Sequence, residues 1–282
     1  MATAVLRTTK LPSGDAVPVL GLGTWHLAED PRKRPEEIQA LQLGIDLGMT
    51  MIDTAEMYAD GGAEELVGEA IAGRRDDVFL VSKVLPHHAS KRGTLAACEE
   101  SLRRLRTDHL DLYLLHWRGS IPLAETVDAF LTLVHTGRIR HWGVSNFDVA
   151  DMEELLTIPG GADVATDQVL YNLSRRGIEL DLLPWCQQRK IPIMAYSPIE
   201  QARLLRHPVI GRIAVRHSAS AAQIALAWVL RHDHVIAIPK AGRPEHVRED
   251  FDALEIRLTR EDLQELDEAF PRPPRKVPLE MI

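Results

Sequence analysis

Residues 51–58 read Met51-Ile52-Asp53-Thr54-Ala55-Glu56-Met57-Tyr58. An apolar start gives way to an acid, and a phenol follows one short loop later. Two later runs have the same form. Val81-Ser82-Lys83 closes one, and Leu114-Leu115-His116-Trp117 closes the other. If these three runs are neighbouring parallel strands, Asp53, Tyr58, Lys83 and His116 converge at one rim. An acid, a phenol, an amine and an imidazole held together make a proton-transfer device.

The rest of the chain supplies the remaining strands. Eight short apolar runs are present: Val19–Leu22, Met51–Ala55, Phe79–Val84, Leu110–Trp117, Ile139–Ser145, Thr166–Leu170, Ile191–Tyr196 and Val235–Ile238. Most are almost continuously apolar, the pattern of strands buried on both faces. Between them Glu36–Leu47, Leu95–Leu105, Ala124–Thr136 and Ala219–Arg231 carry apolar residues at helical spacing. Alternating strands and helices with no linker-like break predict an α/β fold, a (β/α)8 TIM barrel, as one domain over residues 1–282. Within Val5–Leu20, Pro12-Ser13-Gly14-Asp15 separates two apolar ends, which is a hairpin signal. Such a hairpin would close the N-terminal, bottom mouth of the barrel. Arg203–Arg216 reads as an insert after the seventh strand, at the rim where loops carry function. The proline-bearing stretch Pro271–Ile282 reads as an irregular cover.

Composition narrows the function classes. The net charge is -8 and the pI about 5.8 over 282 residues, which argues against nucleic acid or an anionic membrane as partner. Cys98 and Cys186 stand far apart, so neither a disulfide framework nor a thiolate zinc site is expected, and a reducing compartment is. No apolar stretch approaches the roughly 18 residues of a membrane span, and the N-terminus has no apolar leader-like run. A cytoplasmic protein is the expectation.

Barrel enzymes work at the C-terminal ends of their strands. Buried charge is expensive there unless paired. Asp53 and Lys83 can pair, and Lys83 can sit beside the Tyr58 hydroxyl. A cation in that place would lower the phenol pKa from ~10 and make Tyr58 a proton donor near neutral pH. A neutral His116 could hold a carbonyl oxygen by a hydrogen bond. The plain alternative is a structural ion pair with a core Tyr and His. Four such groups at three successive strand ends weigh against it. A Schiff-base lyase using Lys83 is the sharper rival.

A second cluster follows. Ser145, Asn146 and Gln168 supply the donors and acceptors a carboxamide needs, and Tyr196, next to Ser197, offers a flat face for a heteroaromatic ring. Nicotinamide has both groups. The plain alternative is that Ser145 and Asn146 cap a helix starting near Asp148. In a third cluster Lys240 and Arg243 flank a helix start at Pro244, which suits a phosphate, although a solvated basic loop reads equally well. Gly21-Leu22-Gly23 opens a GxGxxG pattern, but His26 takes the third glycine position and the dinucleotide fingerprint fails. His87-His88 and His232-Asp233-His234 lack matched ligands and read as surface residues, so no metal is expected.

Several motifs are specific in combination. They are Gly21-Leu22-Gly23-Thr24-Trp25, Ile52-Asp53-Thr54-Ala55 with Tyr58, Ser82-Lys83, the run Leu110–Trp117, Gly143-Val144-Ser145-Asn146, Ala195-Tyr196-Ser197-Pro198 and Ile238-Pro239-Lys240. With them the chain resembles the aldo-keto reductase family along nearly its whole length, and most of all its bacterial aldehyde and methylglyoxal reductases. The resemblance implies a barrel that binds NADPH/NADP+ and reduces an aldehyde or ketone, with hydride from nicotinamide and a proton from Tyr58. It implies that Lys83 and Asp53 tune Tyr58 and that His116 orients the carbonyl. Ser145, Asn146 and Gln168 would hold the carboxamide, Tyr196 would stack on the ring with Ser197 beside it, and Lys240 would meet the 2′-phosphate. Glu249 keeps the family's residue, but His246 replaces its usual Arg and Asp250 its usual Asn near the adenine. A neutral His pairs less strongly with phosphate than Arg does. Arg243 or Arg248 could compensate, and NADH use stays open. Trp25 and Trp117 would line the pocket of a small carbonyl substrate, in a monomer. A nicotinamide-sensing binding protein on the same barrel is the alternative from a different functional class.

Overall fold

The computed structural model describes residues 6–282, so Val5, the first residue of the expected hairpin, lies outside them. Strands β1 (Thr8–Lys10) and β2 (Ala16–Pro18) pair antiparallel, as the hairpin signal predicts. Eight parallel strands follow: β3 (Leu22–Gly23), β4 (Met51–Asp53), β5 (Phe79–Val84), β6 (Leu110–Leu115), β7 (Ile139–Ser145), β8 (Asp167–Leu170), β9 (Ile193–Tyr196) and β10 (Val235–Ala237). They are hydrogen-bonded in chain order. Parallel bridges Leu20↔Ala237 and Gly23↔Lys240 join the first strand to the last and close the (β/α)8 barrel. Helices follow the strands, among them Arg34–Asp46, Lys91–Leu105, Leu123–His135 and Ala221–Val229, which overlap the four helical segments read from spacing and end within two residues of them except at the start of the second.

The first strand departs from expectation. It is Leu22–Gly23, not Val19–Leu22, because Val19 and Leu20 reach the last strand by single contacts at the seam. There Ala237 N donates to the Val19 carbonyl at 2.8 Å. The seam needs a glycine: a Cβ on Gly23 would lie 2.7 Å from the Ile238 carbonyl oxygen.

The pleat sorts side chains between two cores. Met51, Val81, Leu112, Leu114, Met194 and Ile236 form one cluster, inside the barrel. Their chain neighbours Ile52, Leu80, Tyr113, Ile193 and Val235 belong to the layer between sheet and helices. Tyr113 packs edge-on against Phe130 with ring centroids 5.8 Å apart, so it faces the helices. Alternation along a strand has period two. Asp53 follows Met51 by two residues, Lys83 follows Val81, and His116 follows Leu114. All three therefore share the inward face, at the C-terminal rim. At the opposite end Leu11 and Val17 of the hairpin join the interior cluster and are almost fully buried.

That plug should carry measurable stability. Leu11→Ala should cost about 2–5 kcal/mol in urea unfolding. Ser13→Ala in the exposed turn should stay within about 0.5 kcal/mol. Equal, small effects at both positions would show that the hairpin does not close the barrel.

Candidate active site

Strands β4, β5 and β6 bring Asp53, Lys83 and His116 to one rim. Lys83 is fully buried. Its ammonium donates to Asp53 Oδ2 at 2.8 Å, to the Thr54 carbonyl at 2.8 Å and to the Tyr58 hydroxyl at 3.0 Å. An ammonium has three donors, so Lys83 is saturated. The other Asp53 oxygen accepts from Gln168 Nε2 at 2.7 Å. Tyr58 opens a short turn, Tyr58–Gly61, and packs with Ala55, Ala63 and Trp25. The His116 ring meets the Tyr58 ring edge-on, with centroids 5.8 Å apart.

Electrostatics assign a protonation state to each member. Burial pushes the Tyr58 phenol up, and the Lys83 ammonium draws it back only in part. The net direction is above the ordinary value, which corrects the expectation of a lowered phenol pKa: desolvation outweighs the cation. Tyr58 thus stays protonated through neutral pH, the form a proton donor requires. Burial pulls the Lys83 ammonium down, but Asp53 and Tyr58 more than offset it, and the net direction is up. An amine held as a saturated ammonium is a poor nucleophile, which counts against the Schiff-base reading. For His116, burial and then the Lys83 charge hold the imidazole well below its usual range, so it is neutral. Its Nδ1 is buried without a hydrogen-bond partner among the described residues.

The second cluster lies beside the first. Ser145 donates to the Gln168 carbonyl at 2.7 Å. Asn146 Nδ2 donates to Ser145 Oγ and to the His116 carbonyl, both at 3.1 Å. The Tyr196 hydroxyl donates to Asn146 Oδ1 at 2.9 Å. Asn146 adopts a left-handed backbone with φ of 61°. The helix-capping alternative fails here. The helix Val149–Thr157 is capped by Asp148, whose side chain accepts from Asp151 N at 3.0 Å in a capping box. Ser145 and Asn146 point elsewhere.

The third cluster divides. Lys240, His246, Glu249 and Asp250 line one continuous cavity with Ser145, Asn146, Gln168, Tyr196 and Ser197. Arg243 is not in that wall. Its guanidinium contacts His246 and pairs with Glu245. The Asp250 carboxyl is buried, and burial followed by the Glu249 charge raises its pKa well above the carboxylate range. The helix Pro244–Asp252 starts with proline and has no side-chain cap; the His246 N–H turns back to the Arg243 carbonyl at 3.1 Å, so the Glu245 N–H is the one at the helix start that could meet an anion.

The cavity has a volume of about 870 Å³ and reaches from Tyr58 and His116 to Asp250. Trp25, Met57 and Trp117 line it near the tetrad, whereas Lys83 stays behind the wall. The residues fit a dinucleotide: amide and hydroxyl groups at the catalytic end, and a lysine with an uncapped helix start at the other. Sequence reading missed several wall residues. Gln201, Ala202 and Leu205 come from the segment Glu200–Arg206, and Met281 and Ile282 from the tail. Their only signal was position, in a rim insert and a covering tail.

Comparison with known proteins agrees with this geometry. The family model described as "Aldo/keto reductase family" matches residues 19–270. Methylglyoxal reductase YeaE of Escherichia coli (strain K12) is 55% identical over 276 residues, spanning 96% of this chain and 97% of that protein. Glyoxal reductase of Bacillus subtilis (strain 168) is 36% identical, over 95% of this chain and 94% of its own. An aldo-keto reductase of Klebsiella pneumoniae, solved in complex with NADPH, superposes with a TM-score of 0.96 at 54% identity. That match covers 99% of this chain and all of the other.

Lys83→Met should destabilise the fold by about 3–5 kcal/mol, because Asp53 is left as an unpaired buried charge. Adding Asp53→Asn should recover part of that loss. Urea unfolding of the single and double variants checks this, and strictly additive losses would show that the two groups are not a coupled pair.

Proposed function

The chain belongs to the aldo/keto reductase family, and from that premise we propose how its own residues carry out NADPH-dependent reduction of a carbonyl group. Tyr58 is the proton donor. Its hydroxyl faces the cavity and rests on the Lys83 ammonium at 3.0 Å. That contact is the observation that carries the assignment. NADPH, when bound, supplies hydride to the carbonyl carbon. Tyr58 transfers its proton to the carbonyl oxygen, and Lys83 stabilises the phenolate as it develops. Asp53 keeps Lys83 charged and is itself held by Gln168. Neutral His116 holds the substrate oxygen next to Tyr58 by a hydrogen bond.

The cofactor assignments follow the cavity from end to end. Ser145, Asn146 and Gln168 take the carboxamide, and Tyr196 stacks on the ring with Ser197 alongside. Lys240 and the open start of the helix at Pro244 take the 2′-phosphate, with His246 near it. Glu249 and Asp250 take the adenosine end. Trp25 and Trp117 form the apolar part of the substrate wall. Methylglyoxal or a similarly small aldehyde is the proposed substrate class, supported by the relative named for methylglyoxal reduction.

We also propose a monomer in the cytoplasm. Both cysteines are free and buried. Among the described residues no helix is long and apolar enough to cross a membrane.

Tyr58→Phe should reduce methylglyoxal turnover by about 10²–10⁴, the usual scale of general acid catalysis. NADPH affinity should stay within about twofold. NADPH-consumption assays and fluorescence titration measure the two quantities. Near-normal turnover in the variant would remove Tyr58 from the donor role. Tight NADPH binding by wild type with no carbonyl reduction would favour cofactor sensing.

A further inference from the structure

Two walls of the cavity are tied to one side chain, Arg175, that does not line it. The first wall is the segment after β9. Ser197, Glu200, Gln201 and Ala202 all have positive φ, between 47° and 67°, although none is glycine. Non-glycine residues persist there only when surrounding contacts hold them. The second wall is the tail, which has no regular structure after Phe270 and places Met281 and Ile282 in the cavity wall.

Glu200 and Glu280 sit in these two segments and meet the same guanidinium. Arg175 Nε and Nη2 donate to Glu200 Oε1 at 3.1 and 3.0 Å, and Nη1 donates to Glu280 Oε1 at 2.6 Å. Asn172 completes the network from the turn after β8. Its Nδ2 donates to Glu200 Oε2 at 2.7 Å and to the Ser197 carbonyl at 3.0 Å. Its Oδ1 accepts from the Arg175 backbone N–H at 3.1 Å, which fixes where Arg175 starts. Glu200 and Asn172 are buried, and Arg175 is partly exposed. Two arms of one planar fork are thus used on two different segments, a geometry Lys lacks.

We propose that Arg175 is a positioning residue that sets both walls of the cavity, holding the cofactor-side segment through Glu200 and the substrate-side tail through Glu280. The assignment of the two sides rests on the reductase reading above. Ser197, Gln201 and Ala202 flank Glu200 in the chain and line the cavity together with Lys240. Met281 and Ile282 directly follow Glu280, and the main chain of Ile282 reaches the Tyr196 hydroxyl. The anchor before Glu280 is Lys276 on Asp181 at 2.9 Å.

The two carboxylates make the idea separable. Glu280→Gln should raise the methylglyoxal KM by about two- to fivefold, the scale of a partly exposed ion pair, with NADPH affinity within about twofold. Glu200→Gln should weaken NADPH by about five- to tenfold, since a buried charge-assisted hydrogen bond is lost. Arg175→Met should do both, and Arg175→Lys should restore at most one of them. The same variants, free of ligand, are followed by backbone hydrogen exchange. Faster exchange is expected in 277–282 for Glu280→Gln, in 197–206 for Glu200→Gln, and in both for Arg175→Met.

Unchanged exchange in both segments of Arg175→Met, or a Glu280→Gln variant that alters neither KM nor tail exchange, would overturn the proposal. A uniform loss of stability without this split would do so as well. If wild type consumes no NADPH with methylglyoxal, the reductase reading fails, and the exchange pattern alone still decides whether Arg175 holds the two walls.

Discussion

A lysine ammonium buried beneath a tyrosine is the constraint on which the site depends. Left alone in the barrel it would be neutral or would unfold its surroundings. Asp53 supplies the opposite charge, the Thr54 carbonyl and the Tyr58 hydroxyl take the remaining N–H groups, and Gln168 satisfies the far oxygen of Asp53. The cluster draws on β4, β5, β8 and the loop after β4. Each must arrive in register, because a slip of one residue would turn Asp53 or Lys83 toward the helices. Chemistry and fold therefore share one requirement. The ammonium that readies Tyr58 is also the group the barrel can hold only in this arrangement.

The molecule separates a half packed by apolar side chains from a half walled by irregular segments. Below the tetrad, apolar side chains and the hairpin fill the barrel interior. Above it, part of the wall is made by the segment after β9 and by the tail. These pieces have few regular hydrogen bonds and rely on side-chain ties such as Arg175 to Glu200 and Glu280.

That separation also decided what the sequence could reveal. The tetrad was legible because strand periodicity and apolar runs put Asp53, Lys83 and His116 in the same phase. The strands and helices were legible for the same reason, and the hairpin because Pro12 to Asp15 has turn chemistry. The first strand was misplaced because its seam is made by isolated bridges and a close backbone approach at Gly23, which leave no periodic trace. The Tyr58 phenol was expected to be lowered because the lysine is visible in the sequence, whereas the depth of burial that outweighs it is not. Asp148, not Ser145 or Asn146, caps its helix, a choice set by backbone geometry at a left-handed Asn146. Arg175, Glu200 and Glu280 carried no signal, since they are far apart in the chain and meet only through irregular segments. Arg243 looked like a phosphate ligand by position, but Glu245 and His246 engage it outside the cavity wall.

The most direct test of the central claim is the pH dependence of kcat for methylglyoxal at saturating NADPH. In the proposed mechanism Tyr58 is the donor in its protonated form, with a pKa raised above the ordinary phenol value, and His116, held below the usual imidazole range, is neutral. For a donor active when protonated, activity is retained below its pKa and lost as pH rises through it. The account predicts a flat profile across neutral pH, with loss only above about pH 10. A loss centred near pH 6–7, the range of an ordinary imidazole, would make His116 the proton donor and contradict the account.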